Sequence, residues 1–407
     1  MSELVLPGIP NIHSHSFQRA MAGMAERGSE RADSFWTWRE LMYRFAGWLT
    51  PESLHDISAQ LFVEMLQAGY TSTCEFHYLH HQADGRPYDD PAAMSRAIIA
   101  AARETGIRLT LLPVLYMTGG FDGRELSDRQ QRFGHDVDAY LSLLDALTAQ
   151  EDPMLRVGVA LHSLRAVPAD AMREVLAAPQ VGALRPIHIH ISEQTAEVEE
   201  CIAARGARPV EWLLANAAVD EAWTLVHATH VQASELSGIA ASKAVVALCP
   251  TTEANLGDGV FPLREFIARG GRIGIGSDSN VSVSPVEELR WLEYGQRLVS
   301  RQRNIAATRE LPSSGESLVM RAVAGGRQSN GHGEQDDDLL VLDEYSASMC
   351  GVSATDLHDR FVFGGNVNPV KDVFVQGRRI IESGRHVHGE RINQRFRDSM
   401  RRLLSDS

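Results

Sequence analysis

The 407-residue chain is 44% hydrophobic, enough for one large domain with a smaller piece beside it, and it has no run of about 18 apolar residues to span a membrane. Its formal net charge of −14 excludes nucleic-acid binding and leaves no basic run for a membrane surface, so an anionic substrate must be held by individually placed arginines. Cys74, Cys201, Cys249 and Cys350 stand apart without Cys-x-x-Cys spacing and read as reduced thiols; with no basic and apolar leader at the N-terminus, a cytoplasmic location is expected.

The first apolar run, Leu4 to Ile9, reads as a strand leading into Asn11-Ile12-His13-Ser14-His15. Histidines at i and i+2 of an extended segment face the same way and can reach one ion, although a lone His-x-His is more often an incidental surface pair. A Trp-rich loop follows around Phe35 to Arg44. Thr50-Pro51-Glu52 then opens a helix, with Thr as cap and Pro in the first turn, that runs to Gly69. Thr71 to Phe76 reads as a strand; Asp90-Pro91 opens a helix closed by Gly106; Ile107 to Leu115 is a strand, and residues 117 to 135 form a polar loop.

The alternation continues with strands Leu155 to Leu161, Ile187 to Ile191, Thr224 to Val226, Ala244 to Leu248 and Ile273 to Ile275, separated by helical patterns and followed by a helix from Pro285 to Val299. Counting the opening run, these make eight strands. Continuous apolar strands alternating with helices predict a parallel sheet covered on both sides, and eight units fit a (β/α)8 TIM barrel. A doubly wound open sheet is the alternative, but no Gly-x-Gly-x-x-Gly turn follows the first strand. The segmentation expected is a barrel over 11–325, a small β domain from 1–10 plus 326–385, and a C-terminal helix over 386–407. Within the last third, Gly325-Gly326 to Asp338 reads as a polar loop. Leu339 to Leu342 and Arg360 to Phe363 read as strands, Val373 to Ile381 as a hairpin, and Arg391 to Leu404 as a basic amphipathic helix that serves as a docking helix or a dimer contact.

In such a barrel the C-terminal ends of the strands share one mouth. That would gather His13 and His15 from strand 1, His190 from strand 5 with Glu193 just beyond it, His227 from strand 6 and Asp278 from strand 8. Nitrogen and carboxylate ligands without thiolates suit zinc, with iron or manganese as alternatives. His188 shares the parity of His190 but lies deeper, and reads as a core histidine with its hydrogen bonds satisfied. In isolation, Glu193 would be read as a helix N-terminal carboxylate and Asp278 as a turn residue.

His13-Ser14-His15, His190-Ile191-Ser192-Glu193, His227 and Ser277-Asp278, in strand order 1, 5, 6, 8, resemble the amidohydrolase superfamily. Asn11 to Gly23, Phe35 to Arg44 and His162-Ser163-Leu164-Arg165-Ala166-Val167 resemble, within it, the deiminases that act on N-formimino-L-glutamate in bacterial histidine breakdown. Many amidohydrolases bridge two metals with a lysine at the end of strand 4. Here the only lysines are Lys243, before strand 7, and Lys371, beyond the barrel. A single metal is therefore expected, and the resemblance implies zinc held by His13, His15, His190 and Asp278.

The resemblance also implies roles for the remaining residues. Asp278 would accept the proton of the attacking water, His227 would hydrogen-bond the tetrahedral centre, and Glu193 would pass a proton to the leaving nitrogen, giving N-formyl-L-glutamate and ammonia. Arg39 and Arg165 would grip the carboxylates of a dicarboxylate substrate, Gln18, Tyr78 and His162 would supply polar contacts, and Trp36 and Trp38 would shape the pocket. A homodimer is expected. The family usually begins with more β-structure than the ten or so residues present here, so the small domain is expected to be a β-sandwich reduced at its N-terminus. Two rivals stand beside this reading: another mononuclear deaminase acting on a purine or pyrimidine, and a barrel that binds metal without turnover.

Overall fold

Apolar strands that need cover on both faces close into an eight-stranded parallel barrel in the computed structural model, which describes residues 4–27, 35–182, 185–333 and 335–405. The barrel strands are, in order, Ile9–Ser14, Tyr70–His77, Arg108–Leu115, Val159–Ser163, Ile187–Ile191, Trp223–His227, Val245–Leu248 and Arg272–Ile275. Each pairs with the next, and the eighth returns to the first through Ile275 opposite Asn11. This is the (β/α)8 fold expected from the alternating pattern. Helix boundaries follow local chemistry. Thr50 and Ser53 form a capping box at the start of Pro51–Ala68, Gly69 ends that helix at φ 111°, and Asp136 and Ser284 accept backbone N–H groups at the starts of Val137–Thr148 and Pro285–Ser300.

Several local expectations are corrected. The run Leu4 to Ile9, counted as the first barrel strand, is divided: Leu4–Pro7 pairs antiparallel with Leu339–Leu342, and the chain enters the barrel only after Gly8, where a Cβ would collide with Thr71. The five-stranded antiparallel sheet so formed continues through Val370–Val375, Arg378–Glu382 and Arg385–His386, and is the small domain. The stretch read as a Trp-rich loop is the helix Phe35–Trp48, and Arg360 to Phe363 belongs to the helix Leu357–Phe363. Gly325 and Gly326 lie inside the helix Ser314–Asn330 and are not a loop opening; a Cβ on Gly325 would overlap the Ile273 carbonyl, and one on Gly326 would stand 2.7 Å from Pro10, so glycine lets this helix lie directly on the first and last strands. Strand 4 is interrupted at Gly158, where a Cβ would meet Leu112 at 2.5 Å and the Pro186 carbonyl at 2.8 Å. Glu334, in the stretch read as a polar loop, lies outside the described residues.

The C-terminal helix Gly389–Ser405 docks on its own chain: Arg395 meets Asp56 and Glu104, and Ser399 donates to Asp56 at 2.6 Å. His188 is a core histidine as expected, with Nε2 3.1 Å from the Ser329 carbonyl, but its hydrogen bonds are only half satisfied: Nδ1 is buried without a partner among the described residues. All four cysteines are free, and no described helix is long and apolar enough to cross a membrane.

Candidate active site

Five side chains from four strand ends meet at the barrel mouth. His13 is the penultimate residue of strand 1, and His15 follows its end. His190 closes on the site from strand 5, His227 is the last residue of strand 6, and Asp278 sits just past strand 8, tied to strand 1 by backbone bonds from Asp278 N to His13 O and from His15 N to Asp278 O, both 3.0 Å. The Nε2 atoms of His13 and His190 are 3.0 Å apart, and Asp278 Oδ1 lies 3.5 Å from His13 Nε2 and 3.3 Å from His15 Nε2. Two buried imidazole nitrogens at that distance repel unless a proton or cation sits between them.

The rest of the chemistry favours a cation. Burial lowers the His13 pKa to about 3 and also depresses His15 and His190, so these rings are neutral and offer lone pairs. His15 Nδ1 faces the Phe76 carbonyl at 2.8 Å and His190 Nδ1 the His162 carbonyl at 3.0 Å, which fixes the tautomer that turns Nε2 inward. Burial pushes the Asp278 carboxyl up, but its hydrogen bond to His13 and the facing imidazoles more than offset this and hold it below the usual carboxylate range. Neutral nitrogen donors around a buried carboxylate are a ligand set for a divalent ion. Neither lysine approaches: Lys243 caps the helix Ala233–Ser242, and Lys371 is in the small sheet.

The backbone here is strained. Ser192, His227, Ala228, Asp278 and Asn280 all adopt left-handed conformations, with φ between 44° and 68°. Around strand 8 the strain is held by a buried network: Asn11 Nδ2 donates to Ser277 Oγ (2.7 Å), Ser277 Oγ to Asn280 Oδ1 (2.6 Å), and Asn280 Nδ2 to the carbonyls of His15 and Asp278 (3.0 Å each).

Beside the cluster stand two further titratable groups, His227 and Glu193. His227 Nε2 is 3.8 Å from both Glu193 Oε1 and Asp278 Oδ2. Burial raises Glu193 to about 7, opposed by His227 and reinforced by Asp278, so this carboxyl can take up and release a proton near neutrality. Glu197 presents it by accepting the backbone N–H groups of Ser192 (3.0 Å) and Glu193 (2.9 Å). Burial alone would depress His227, but Glu193, the hydrogen bond to Glu253 and Asp278 raise it to about 10.

Glu253 escapes sequence reasoning. It lies in the short helix Pro250–Leu256 after strand 7, accepts from Cys249 N at 2.9 Å and holds His227 Nδ1 at 3.3 Å. Its one signal is an acidic residue behind a helix-starting proline, which helix starts show for ordinary reasons. Glu253→Ala should lower kcat about 10- to 100-fold while KM changes little, because the substrate is not touched but His227 loses its partner; steady-state kinetics decides.

The substrate candidates line a single cavity with these groups: Gln18, Arg39, Tyr78, His162 and Arg165 share it with His15, Glu193, His227 and Asp278, in a space of about 900 Å3 that includes its solvent-filled mouth. Gln18 donates to the Tyr78 hydroxyl at 2.9 Å, and its own carbonyl oxygen is buried without a partner among the described residues. The Arg165 guanidinium forms no ion pair among the described residues and feels Tyr116, Glu197, Tyr43 and Glu193 around it, which hold its pKa up against burial. Arg39 lies 5.5 Å over the Tyr43 ring. Trp38 is on the cavity wall, joined by Met42, Tyr43, Tyr116 and Phe133, which the sequence does not single out. The Trp36 side chain lies outside what the structure describes.

Comparison with known proteins fits this geometry. The amidohydrolase family model matches residues 4–310. The chain is 50% identical over 408 residues to a formimidoylglutamate deiminase of Pseudomonas aeruginosa, covering 98% of this chain and 89% of that relative. An amidohydrolase from Brucella melitensis superposes with a TM-score of 0.93 at 43% identity, covering 98% of this chain and 90% of the other. An adenosine deaminase from Xanthomonas campestris with bound zinc gives 0.79 at 19% identity over 98% and 86%, a likeness that shows the fold alone. Since the family match begins in the first strand of the small sheet and runs past the last barrel strand, enclosing every residue of the cluster, the chain belongs to the amidohydrolase family.

Proposed function

We propose that this protein hydrolyses N-formimino-L-glutamate to N-formyl-L-glutamate and ammonia, in the breakdown of histidine, with one zinc ion held by His13, His15, His190 and Asp278. The observation that carries the reading is that Arg165, half-buried and without an ion pair among the described residues, opens into the same cavity as the histidine and carboxylate cluster, with Arg39 beside it. Two guanidinium forks suit a dicarboxylate; a purine or pyrimidine pocket has no use for them.

A divalent ion in that ligand set supplies Lewis acidity, bringing the pKa of a water down from about 16 towards about 7. Asp278 takes the proton as the water oxygen attacks the amidine carbon. His227, whose Nδ1 proton is committed to Glu253, turns its other N–H towards the oxygen of the tetrahedral centre. Glu193 delivers one proton to the terminal nitrogen and Asp278 passes on the one it took; the C–N bond breaks, ammonia leaves, and the hydroxyl proton returns to Glu193 as the carbon keeps its new oxygen as a formyl group. Arg39 and Arg165 hold the two carboxylates through these steps, and Gln18, Tyr78 and His162 orient the amidine end.

Arg165→Ala should raise KM for N-formimino-L-glutamate by about 10- to 100-fold, the loss expected for a charged hydrogen-bonding fork of roughly 1.5–3 kcal/mol, with a smaller effect on kcat. An unchanged KM would remove Arg165 from the substrate site. The reading as a whole is tested by ammonia release from N-formimino-L-glutamate, adenosine and guanine with zinc-loaded protein. Release from the first supports it. Release from a nucleobase compound alone assigns the cavity to a base, and no release from any amidine leaves an inert metal-binding barrel.

A further inference from the structure

Arg132 lies in the loop after strand 3, outside the cavity, and is only 1% exposed, among the largest side chains to be so fully enclosed. Its guanidinium donates to the backbone oxygens of Ala46, Leu49 (3.2 Å) and His81 (3.1 Å), and no carboxylate among the described residues faces it. Its own carbonyl accepts the N–H groups of His80 and His81, both at 3.0 Å. Burial lowers its pKa to about 10, so it keeps its charge at neutral pH.

Two of those acceptors close the helix Phe35–Trp48, whose last carbonyls have no intrahelical partner and attract positive charge. The neighbours of Arg132 follow the same helix. Arg129 pairs with Glu40 at 2.5 Å, and Phe133 stacks on Tyr43 with ring centroids 6.0 Å apart. Glu40, Tyr43, Ala46 and Leu49 recur every third residue, so the loop runs along one side of the helix. The same helix brings Trp38, Arg39 and Met42 to the cavity wall. Tyr78, two residues before His80, forms the adjoining wall and packs edge-on against Phe133 at 5.1 Å.

We propose that Arg132 is a positioning residue for carboxylate binding: by fastening the end of the helix that carries Arg39 to the segment that carries Tyr78, it holds Arg39 over the cavity without touching substrate. The inference rests on the function proposed above for what Arg39 grips. An arginine is suited to this junction because one planar fork reaches three carbonyls, where a lysine ammonium is a single point on a flexible stem.

Steady-state kinetics of Arg132→Met and Arg132→Lys, with zinc content measured on each, tests it. The expected result is a KM for N-formimino-L-glutamate raised about tenfold or more in Arg132→Met, a parallel rise in the inhibition constant of glutarate, kcat within about threefold and zinc unchanged, with Arg132→Lys between this and the unaltered protein. A KM near that of the unaltered protein overturns the proposal, as does a fall in kcat or zinc content that matches or exceeds the change in KM, since that marks a general structural role. If Arg132→Met does not fold, Arg132→Lys decides by the same criterion; failure of both to fold counts against the proposal. If the unaltered protein releases no ammonia from N-formimino-L-glutamate, the proposed function fails first, whereas unshifted variants of an active enzyme sink this inference alone.

Discussion

Asp278→Asn should lower kcat by about a thousandfold or more, corresponding to roughly 4 kcal/mol of lost transition-state stabilisation, and should reduce bound zinc below one equivalent. Both losses follow from the position of this carboxylate. Its oxygens face His13 at 3.5 Å, His15 at 3.3 Å and His227 at 3.8 Å, and the proposed function makes it both the anionic ligand of the cluster and the base for the attacking water. The fold should survive. Asp278 sits at φ 44°, a conformation that asparagine tolerates as well as aspartate, and the two side chains have the same shape. A far-ultraviolet spectrum and melting temperature close to those of the unaltered protein would show that the loss is chemical; a variant with full zinc and full turnover would remove Asp278 from both roles.

Glu193→Gln should lower kcat by about 100- to 10,000-fold while zinc stays bound and KM shifts only a few-fold, because glutamine keeps the volume but cannot carry the proton. The loop that presents it depends on backbone N–H groups donated to Glu197, not on the Glu193 side chain, so the substitution leaves its support intact. The contrast with Asp278 is the informative part: one variant loses metal and turnover together, the other turnover alone. A Glu193→Gln enzyme with undiminished kcat would move the proton route to another group, with His227 the nearest.

The barrel was legible because each strand is a short apolar run between helix signals, and because closing such a barrel brings strand ends together however far apart they are in sequence. His13, His190 and Asp278 are separated by 177 and 88 positions, yet their meeting at one mouth could be read from strand order once the fold was assumed. What was not legible depends on contacts that carry no periodic signature. Gly325-Gly326 reads as a break until the helix Ser314–Asn330 is seen lying on strands 1 and 8, where any side chain would collide. Leu4–Pro7 reads as part of the small domain and yet also counts in the first barrel strand, since sequence alone does not show where the run divides or that it pairs with Leu339–Leu342. Tryptophans in Phe35–Trp48 suggested a loop, yet they sit on a helix whose end is closed by Arg132 from far along the chain. Glu253 and Arg132 act on other residues and not on a ligand, and their partners are found only in three dimensions.

The most direct test of the central claim is a zinc titration of metal-free protein followed by ammonia release from N-formimino-L-glutamate. Activity should be absent without metal, rise in proportion to added zinc and level off at one equivalent per chain, with one N-formyl-L-glutamate formed for each ammonia. A plateau at two equivalents, full activity in the metal-free protein, or no ammonia at any zinc level would contradict it.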